Sequence, residues 1–251
     1  MLIVNADDWG LEPIRDQAIV ECFRRGWITN TTAVMNRPGL ETATQLAHEE
    51  KFADRVGLHI NLVYDRPLTD GIRRDPLFCD KEGMFNAAFH KMTKTRLWLP
   101  DSSKRVVAEE VRAQVAVYKA HGYTMMHADS HQHTHNDWSI MPVVVAALKE
   151  NGFRSLRIAR NMGAGLRLGK KIYKGLYNFY LRHQGLAYSD YFGSIADFLS
   201  CREDLPKEAT VELMCHPMLT VGKEDRVDGT LTDFYRPFDE QVMNEIARLA
   251  R

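Results

Sequence analysis

The sequence predicts an α/β fold of mostly parallel strands and helices, and its length favours a barrel. Short runs rich in β-branched and apolar residues alternate with longer segments of helical period, the pattern of a parallel sheet covered by helices. The 251 residues suit one α/β barrel core. Polar side chains suited to chemistry follow several apolar runs, and the carboxyl ends of parallel barrel strands all open on one face.

Six apolar runs are predicted as strands, because each is short and bounded by polar or turn-forming residues. They are LIVNA at 2–6, TTAVM at 31–35, VGLHINL at 56–62, MMHADS at 125–130, SLRIA at 155–159 and VELMC at 211–215.

Four segments of helical period are predicted as helices, and they lie at 13–26, about 106–122, about 138–150 and about 238–250. The first opens on Pro13, which suits a first helical turn, and ends in arginines before Gly26. The second places its valines on one face and stops at Gly122.

Two segments interrupt the alternation, and we interpret them as insertions in a single domain spanning residues 1–251. The first, at about 64–100, carries prolines among polar residues, which is typical of a segment that covers a site. The second, at about 161–200, is basic and rich in tyrosine, and we predict a helical excursion that forms one wall of a cleft. Its GAGLRLG motif at 163–169 lacks the spacing of a nucleotide-binding loop and is predicted to be a flexible loop.

The bulk composition bears on location and partners. Lys+Arg and Asp+Glu both number 33, so no net charge attracts nucleic acid or an acidic membrane. The longest apolar stretches fall short of the roughly 20 residues that span a bilayer, and polar residues interrupt the N-terminal apolar run that a leader would need. Four scattered cysteines suit a reducing cytoplasm. We therefore expect a cytoplasmic protein with neither nucleic acid nor membrane as partner, and the sequence leaves a homodimer open.

Histidines concentrate in DSHQHTH at 129–135, which holds His131, His133 and His135. Alternate side chains of an extended chain share a face, so two of them could meet a metal, or one could bind while its neighbours orient it. The alternative is a solvated loop that is rich in histidine. His59 lies in an apolar strand, where a lone histidine is more often a hydrogen-bonded core residue than a ligand. Asn61 shares its face and indicates that this face is polar.

The adjacent carboxylates Asp7 and Asp8 follow the first predicted strand. One of them could cap a helix, but two adjacent carboxylates repel each other, and a divalent cation bound by one resolves the repulsion. The other is then available as a base. Strict strand alternation would send the two side chains to opposite faces, so this interpretation requires the chain to turn between Asp7 and Gly10.

Two further polar residues lie near strand ends. His216 follows VELMC and is either structural or a proton donor, since imidazole is well matched to proton transfer near neutral pH. Arg157 is either a surface charge or a partner that holds a carboxylate ionised.

The segments LIVNADDWG, GLHINL, DSHQHTH and VELMCHP, in this order, resemble the YdjC-like carbohydrate deacetylases. The resemblance implies a distorted (β/α) barrel of the glycoside hydrolase/deacetylase type that binds one divalent metal. It assigns the metal ligands to Asp8, His59 and His131. It assigns the catalytic base to Asp7, the general acid to His216 and the orientation of the base to Arg157.

The same resemblance implies hydrolysis of the acetyl group of an N-acetylated sugar or small oligosaccharide, with magnesium or zinc as the metal. Four residues are expected to contact the sugar, namely Trp9, Asn61, His133 and Tyr191. Tyr64, Trp98 and Trp138 are further aromatic candidates for stacking on a sugar ring, against the alternative of ordinary packing.

Two other functions stay open at this point. A metal-dependent phosphoesterase on the same barrel would need a second metal, for which His133 and His135 could supply ligands. A non-catalytic sugar-binding protein could keep a metal for stability alone.

Overall fold

A computed structural model describes residues 1–163, 168–221, 227–233 and 236–250. The main sheet of this part of the chain has seven strands: β1 (Leu2–Trp9), β2 (Asn30–Val34), β3 (Val56–Ile60), β4 (His127–Ser130), β5 (Ser155–Leu156), β6 (Tyr191–Ser194) and β7 (Val211–Cys215). Their spatial order is β5-β4-β3-β2-β1-β7-β6, and every pairing is parallel.

This strand order is that of a barrel that stays open on one side. Strands follow one another around the sheet, and β7 returns to pair with β1. On the open side, an isolated bridge joins Leu156 of β5 to Ala187, a residue that precedes β6 in the chain. The predicted distorted barrel of parallel strands is therefore confirmed, with its opening at the β5–β6 seam.

Ten helices occur in the described residues. They are α1 (Pro13–Arg24), α2 (Leu40–Glu49), α3 (Asp70–Arg73), α4 (Ala88–Lys91), α5 (Thr93–Leu97), α6 (Asp101–Ala120), α7 (Met141–Glu150), α8 (Leu168–His183), α9 (Ile195–Cys201) and α10 (Glu240–Leu249). Three short 3-10 turns lie at Ala53–Arg55, His131–Asn136 and Arg202–Asp204. None of the helices described combines the length and the apolar character that a membrane crossing needs.

A small antiparallel sheet follows the barrel, with β8 (Pro217–Val221), β9 (Val227–Asp233) and β10 (Arg236–Pro237) in the order β10-β9-β8. Its strand β8 lies against α1.

All six predicted strands and four predicted helices occur, with shifted bounds. The fifth strand pairs over only Ser155–Leu156, because it borders the open seam and has a full neighbour on one side only. The helix predicted from about 106 begins at Asp101. The sequence did not predict α2, β6 or the antiparallel sheet. The helical excursion predicted within 161–200 corresponds to α8, and residues 164–167 of its GAGLRLG motif lie outside the described residues.

The two faces of the main sheet differ in polarity. Val4, Ala6 and Leu58 belong to the hydrophobic core that the helices cover. The alternate positions of the same strands are polar, and examples are Asn5 and His59, both buried. Side chains alternate along a strand, so the sequence places a buried polar layer on one face of the sheet. The candidate site lies at the carboxyl end of this layer.

Candidate active site

A β-bulge at the end of β1 positions the two adjacent aspartates. The β1–β2 register runs from Ala6 opposite Thr31 to Trp9 opposite Ala33, so β1 carries one extra residue. Asp8 adopts a left-handed φ of 73°, which breaks the alternation of the strand. Both carboxylates thereby join one hydrogen-bonded network at the same strand end, as a shared role for the pair requires.

Asp8 lies between two imidazole rings. Its Oδ1 is 2.8 Å from His131 Nδ1 and 3.1 Å from His59 Nε2. Burial alone would raise the pKa of Asp8, but the adjacent rings of His131 and His59 hold this pKa well below its usual range. The carboxylate is therefore ionised at neutral pH.

These three side chains fit a divalent cation. Two ligand atoms bound to one ion at about 2.1 Å and at right angles are about 3.0 Å apart, which matches the separations around Asp8 Oδ1. Within the described part of the chain, His59 Nε2 is buried and makes no hydrogen bond, as expected of a nitrogen that faces an ion. One carboxylate and two imidazoles form a donor set that holds zinc and also tolerates magnesium when waters complete the shell.

Contacts at its second ring nitrogen, Nδ1, orient the imidazole of His59. Its Nδ1 lies 2.6 Å from Asp129 Oδ1 and 3.2 Å from Thr32 Oγ1. Burial would lower the pKa of His59, but the Asp129 carboxylate outweighs burial and raises this pKa to about 10. A carboxylate behind a ligating histidine fixes the ring and its tautomer. The sequence assigned no role to Asp129.

Arg157 joins three carboxylates and is itself fully buried. Its two terminal nitrogens donate to Asp7 at 2.7 and 2.8 Å, and one of them also lies 2.7 Å from Asp129. Its Nε donates to Glu212 at 2.6 Å. The bidentate pairing fixes the plane of the Asp7 carboxylate. Burial would raise the pKa of Asp7, and the neighbouring guanidinium outweighs it, so this pKa is lowered.

Glu212 is a part of this network that sequence reasoning missed. Burial raises its pKa to about 7, against the opposing effect of Arg157. The segment VELMC did indicate such a role, because a single acidic residue inside a buried strand needs a hydrogen-bond or ion-pair partner on the polar face of the sheet.

His216 approaches Asp7 from the end of β7. Its Nε2 lies 3.8 Å from Asp7 Oδ2, and its backbone N–H donates to Asp233 at 2.7 Å. Burial lowers the pKa of His216, although Asp7 and Asp8 oppose this. The ring is therefore mostly neutral at neutral pH and lies close to the carboxylate that could exchange a proton with it.

The histidines of DSHQHTH do not alternate as in an extended chain. They form the 3-10 turn His131–Asn136, in which Gln132 and His133 have left-handed backbones. His131 turns toward Asp8, whereas His135 bonds the Ser130 hydroxyl and the Arg157 carbonyl oxygen. With both ring nitrogens engaged, His135 is not free to bind a second metal, contrary to that alternative.

His133 faces a cavity next to the cluster. Its Nδ1 is buried and has no hydrogen-bond partner in the part of the chain described, and burial lowers its pKa to about 4. The cavity measures about 590 Å³. Basic and aromatic residues of α8 form one wall, where Lys170, Tyr173 and Lys174 lie, and Arg96 and Arg160 contribute elsewhere.

Three of the predicted sugar contacts conflict with the positions of their side chains. Trp9 is fully buried, donates to the Tyr123 hydroxyl and packs edge-on against Phe52. Asn61 is also fully buried, and its side-chain oxygen accepts the amides of two following residues in a turn. Tyr191 begins β6 and therefore lies at the amino end of the parallel sheet, opposite the candidate site.

Other aromatic candidates have clearer positions. Tyr64 is exposed, and its ring centroid lies 6.1 Å from that of His131. Trp138 contacts Tyr173 and Tyr180 of α8. Among the described aromatics, Tyr64 is thus placed to contact a substrate bound at the cluster.

Comparisons with a family model and with curated proteins give matches that agree with one another. The family model described as YdjC-like protein matches residues 1–246. A chitooligosaccharide deacetylase of Klebsiella pneumoniae is 30% identical over 225 residues, covering 86% of this chain and 81% of its own. A carbohydrate deacetylase of Brevibacillus brevis is 34% identical over 149 residues, which cover 59% of this chain and 56% of its own.

A crystal structure resembles the fold. It is that of an Enterococcus faecalis protein named for cellobiose-phosphate cleavage, with a TM-score of 0.65 and 24% identity. The match covers 87% of this chain and 81% of the other. At this identity the likeness supports the architecture alone.

Proposed function

This chain belongs to the family of YdjC-like proteins, and from that premise we propose that it is a metal-dependent carbohydrate N-deacetylase. It removes the acetyl group from an N-acetylated sugar or small oligosaccharide by hydrolysis of the amide bond. One observation carries the proposal: Asp8, His59 and His131 converge beside Asp7, a carboxylate that Arg157 holds ionised.

The proposed ligands of a single divalent cation are Asp8, His59 through Nε2 and His131 through Nδ1. A cation in this position supplies Lewis acidity to the amide carbonyl and lowers the pKa of water. Magnesium or zinc is proposed, because the mixed carboxylate and imidazole set is compatible with both.

Asp7 is the proposed base. It takes a proton from the attacking water, and its bidentate pairing with Arg157 orients its carboxylate. His216 is the proposed acid, which delivers a proton to the nitrogen of the departing amine. Its Nε2 lies 3.8 Å from Asp7, so the proton removed from water has a short path to the leaving group. The products are acetate and the free amino sugar.

Acetate release tests the proposal. The purified chain is incubated with N-acetylated mono- to tetrasaccharides and added magnesium, manganese, cobalt or zinc. We expect release that stops on chelation and in Asp7→Asn. A folded, metal-loaded chain that releases no acetate from any of these sugars would contradict the proposal. Bound metal near two ions per chain, with phosphate release from phosphate esters, would favour a phosphoesterase instead.

The same proposal includes the organisation and location of the chain. Residues 1–251 form one catalytic domain, with insertions at about 64–100 and 161–200, and the domain acts in the cytoplasm. In support, all four cysteines are free thiols and three of them are buried, as a reducing compartment allows.

A further inference from the structure

Tyr64 is an exposed aromatic residue at the edge of the proposed metal cluster. It is 43% exposed, and its ring centroid lies 6.1 Å from that of His131. It follows β3, the strand that carries His59, so the sheet determines its distance from the cluster. A single exposed ring is common on protein surfaces, and the case for a function therefore depends on how this ring is held.

Two buried asparagines hold the backbone of Tyr64. Asn61 accepts the Tyr64 N–H at 3.0 Å and donates to the Tyr64 carbonyl oxygen at 2.7 Å. Asn36, which follows β2, donates to the same oxygen at 3.2 Å and to the Arg66 carbonyl oxygen at 2.9 Å. The two asparagine side chains also bond each other at 2.9 Å. The segment 61–66 is thus fixed to the carboxyl ends of both β2 and β3.

Arg37 holds the ring of Tyr64. Its guanidinium carbon lies over this ring, 5.2 Å from the centroid. The guanidinium also pairs with Asp65, and its Nε donates to the Leu11 carbonyl oxygen at 3.2 Å. A cation over an aromatic face is attracted by the ring, so these contacts restrict the orientation of a side chain that is not buried.

The backbone next to Tyr64 is strained. Asp65 has a left-handed φ of 63°, a conformation that costs free energy in a residue other than glycine. Such strain persists where surrounding contacts enforce it, and it concentrates at active sites and ligand-binding sites. The pair with Arg37 is one of these contacts. The strain, the two asparagines and the guanidinium together indicate a ring that is preformed for a ligand.

We propose that the segment 61–66 is a sugar subsite, in which Tyr64 stacks on a pyranose ring of the substrate and Arg37 is a positioning residue for Tyr64. The inference rests on the proposed function, because the ligand is the N-acetylated saccharide. A pyranose presents a face of C–H groups that packs on an aromatic ring, while its hydroxyl groups stay in water. The 6.1 Å between the rings of Tyr64 and His131 is a distance that a sugar ring and its acetamido group can bridge.

Stacking on Tyr64 should contribute to substrate affinity and not to the chemical step. The ring makes the same contact with the sugar before and during hydrolysis, and uniform binding of this kind lowers KM without raising kcat. The dissociation constant of the sugar is therefore the quantity that tests the subsite.

Isothermal titration of the metal-loaded Asp7→Asn chain measures this constant without turnover, with N-acetylated mono- to tetrasaccharides as probes. Adding Tyr64→Ala should weaken binding by at least about tenfold. Adding Tyr64→Phe, which keeps the ring, should change it by less than about twofold. Tyr191→Ala is the matched control, because Tyr191 lies at the amino end of the parallel sheet, and it should leave binding unchanged.

A double-mutant cycle tests the role of Arg37. Arg37→Met should weaken binding by about threefold where Tyr64 is present. It should have no further effect in the Tyr64→Ala chain, because a positioning residue acts through the ring. Equal effects of Arg37→Met with and without the ring would overturn the role of Arg37.

Three outcomes separate the subsite from other roles. Absence of sugar binding in the Asp7→Asn chain, or equal binding after Tyr64→Ala, overturns the subsite. A loss of metal affinity in Tyr64→Ala also overturns it, because the ring would then support His131. A chain that binds these sugars through Tyr64 but releases no acetate supports the subsite and contradicts the proposed activity, so the two failures are distinct.

Discussion

Asp7 and Asp8 are neighbours in the chain, but their surroundings give them different chemistry. Two imidazoles surround Asp8, whereas a guanidinium holds Asp7. The bulge with a left-handed residue makes this division of roles possible. A regular strand would have directed one of the two side chains into the apolar face.

Replacing the proposed base should abolish most activity and leave metal binding intact. Asp7→Asn keeps the shape of the side chain but removes its ability to accept a proton from water, so kcat should fall by about 10²- to 10⁴-fold. Acetate release measures kcat, and elemental analysis of the dialysed protein measures bound metal. Asp70→Asn, at an exposed aspartate of α3, is the control and should change neither. Loss of metal together with activity in Asp7→Asn would assign Asp7 to the ligand set instead.

Replacing Arg157 should destabilise the fold and also inactivate the protein. Arg157→Met leaves Asp7, Asp129 and Glu212 buried without their shared cation, and breaking a buried ion pair in this way costs about 3–5 kcal/mol of unfolding free energy. Urea unfolding measures the loss. Arg112→Met, which breaks an exposed pair with Glu150, should cost less than about 1 kcal/mol. Equal stabilities of these two variants would show that the buried network contributes nothing.

At the scale of elements, the close spacing of β2, β3 and β4 restricts one position of β3. A Cβ at Gly57 would lie 3.0 Å from the His127 carbonyl oxygen and 3.0 Å from Thr32 Cγ2. Gly57 precedes His59 by two residues on the same face of the strand. The strand that carries a proposed ligand therefore depends on a residue without a side chain.

Gly57→Val should shift β3 and the ligand that it carries. Overpacking costs about 1–3 kcal/mol, and the displaced His59 should weaken metal affinity, which isothermal titration of the folded variant measures. Gly175→Ala provides the control, because a Cβ there meets no described atom within 4 Å, and alanine in a helix should be neutral or stabilising. Unchanged stability and metal affinity in Gly57→Val would show that the sheet accommodates the valine side chain without loss of unfolding free energy.

Strand ends were the part of the site that the sequence could predict. A polar residue within or after an apolar run is visible in the sequence, and Asp8, His59 and His131 were noted in this way, whereas only the resemblance to the family joined them into one proposed ligand set. Asp129 and Glu212 were given no role because their function depends on Arg157, a partner from another strand. Trp9 was misjudged because its indole turns into the core against Phe52, which no local pattern indicates.

At the scale of the molecule, the alternation of strands and helices in the sequence predicted the fold class, but it did not predict that the barrel opens between β5 and β6. β6 has four residues and includes Gly193, so its β signal is weak. The β5–β6 seam lies at the connection that contains α8. The length of a connection does not predict such a seam, because the longer connection between β3 and β4 leaves those two strands paired.

The polar interior also determines how the whole protein responds to acid. Burial lowers the pKa of His127 to about 3 and that of His133 to about 4, from an ordinary value of 6.5. Below pH 6.5 the unfolded chain therefore binds protons at these two histidines that the folded chain does not bind. The free energy of unfolding thus decreases as the pH falls toward the pKa values of the folded chain. The raised pKa of His59 has the opposite sign. Its contribution is fully present below pH 6.5 and is lost only as the pH rises toward about 10.

His127→Phe should reduce this acid sensitivity. Phenylalanine retains an aromatic ring that stacks on Tyr188 but does not titrate. The free energy of unfolding of the variant should therefore fall less than that of the unmodified chain between about pH 6.5 and pH 5. The difference between variant and unmodified chain should approach about 2 kcal/mol over this range, because one proton contributes about 1.4 kcal/mol per pH unit. Urea unfolding in the presence of a chelator measures it without interference from metal binding. His183→Phe, at an exposed position of α8, should leave the slope unchanged. If His127→Phe and the unmodified chain lose stability in parallel, the acid response does not come from buried His127.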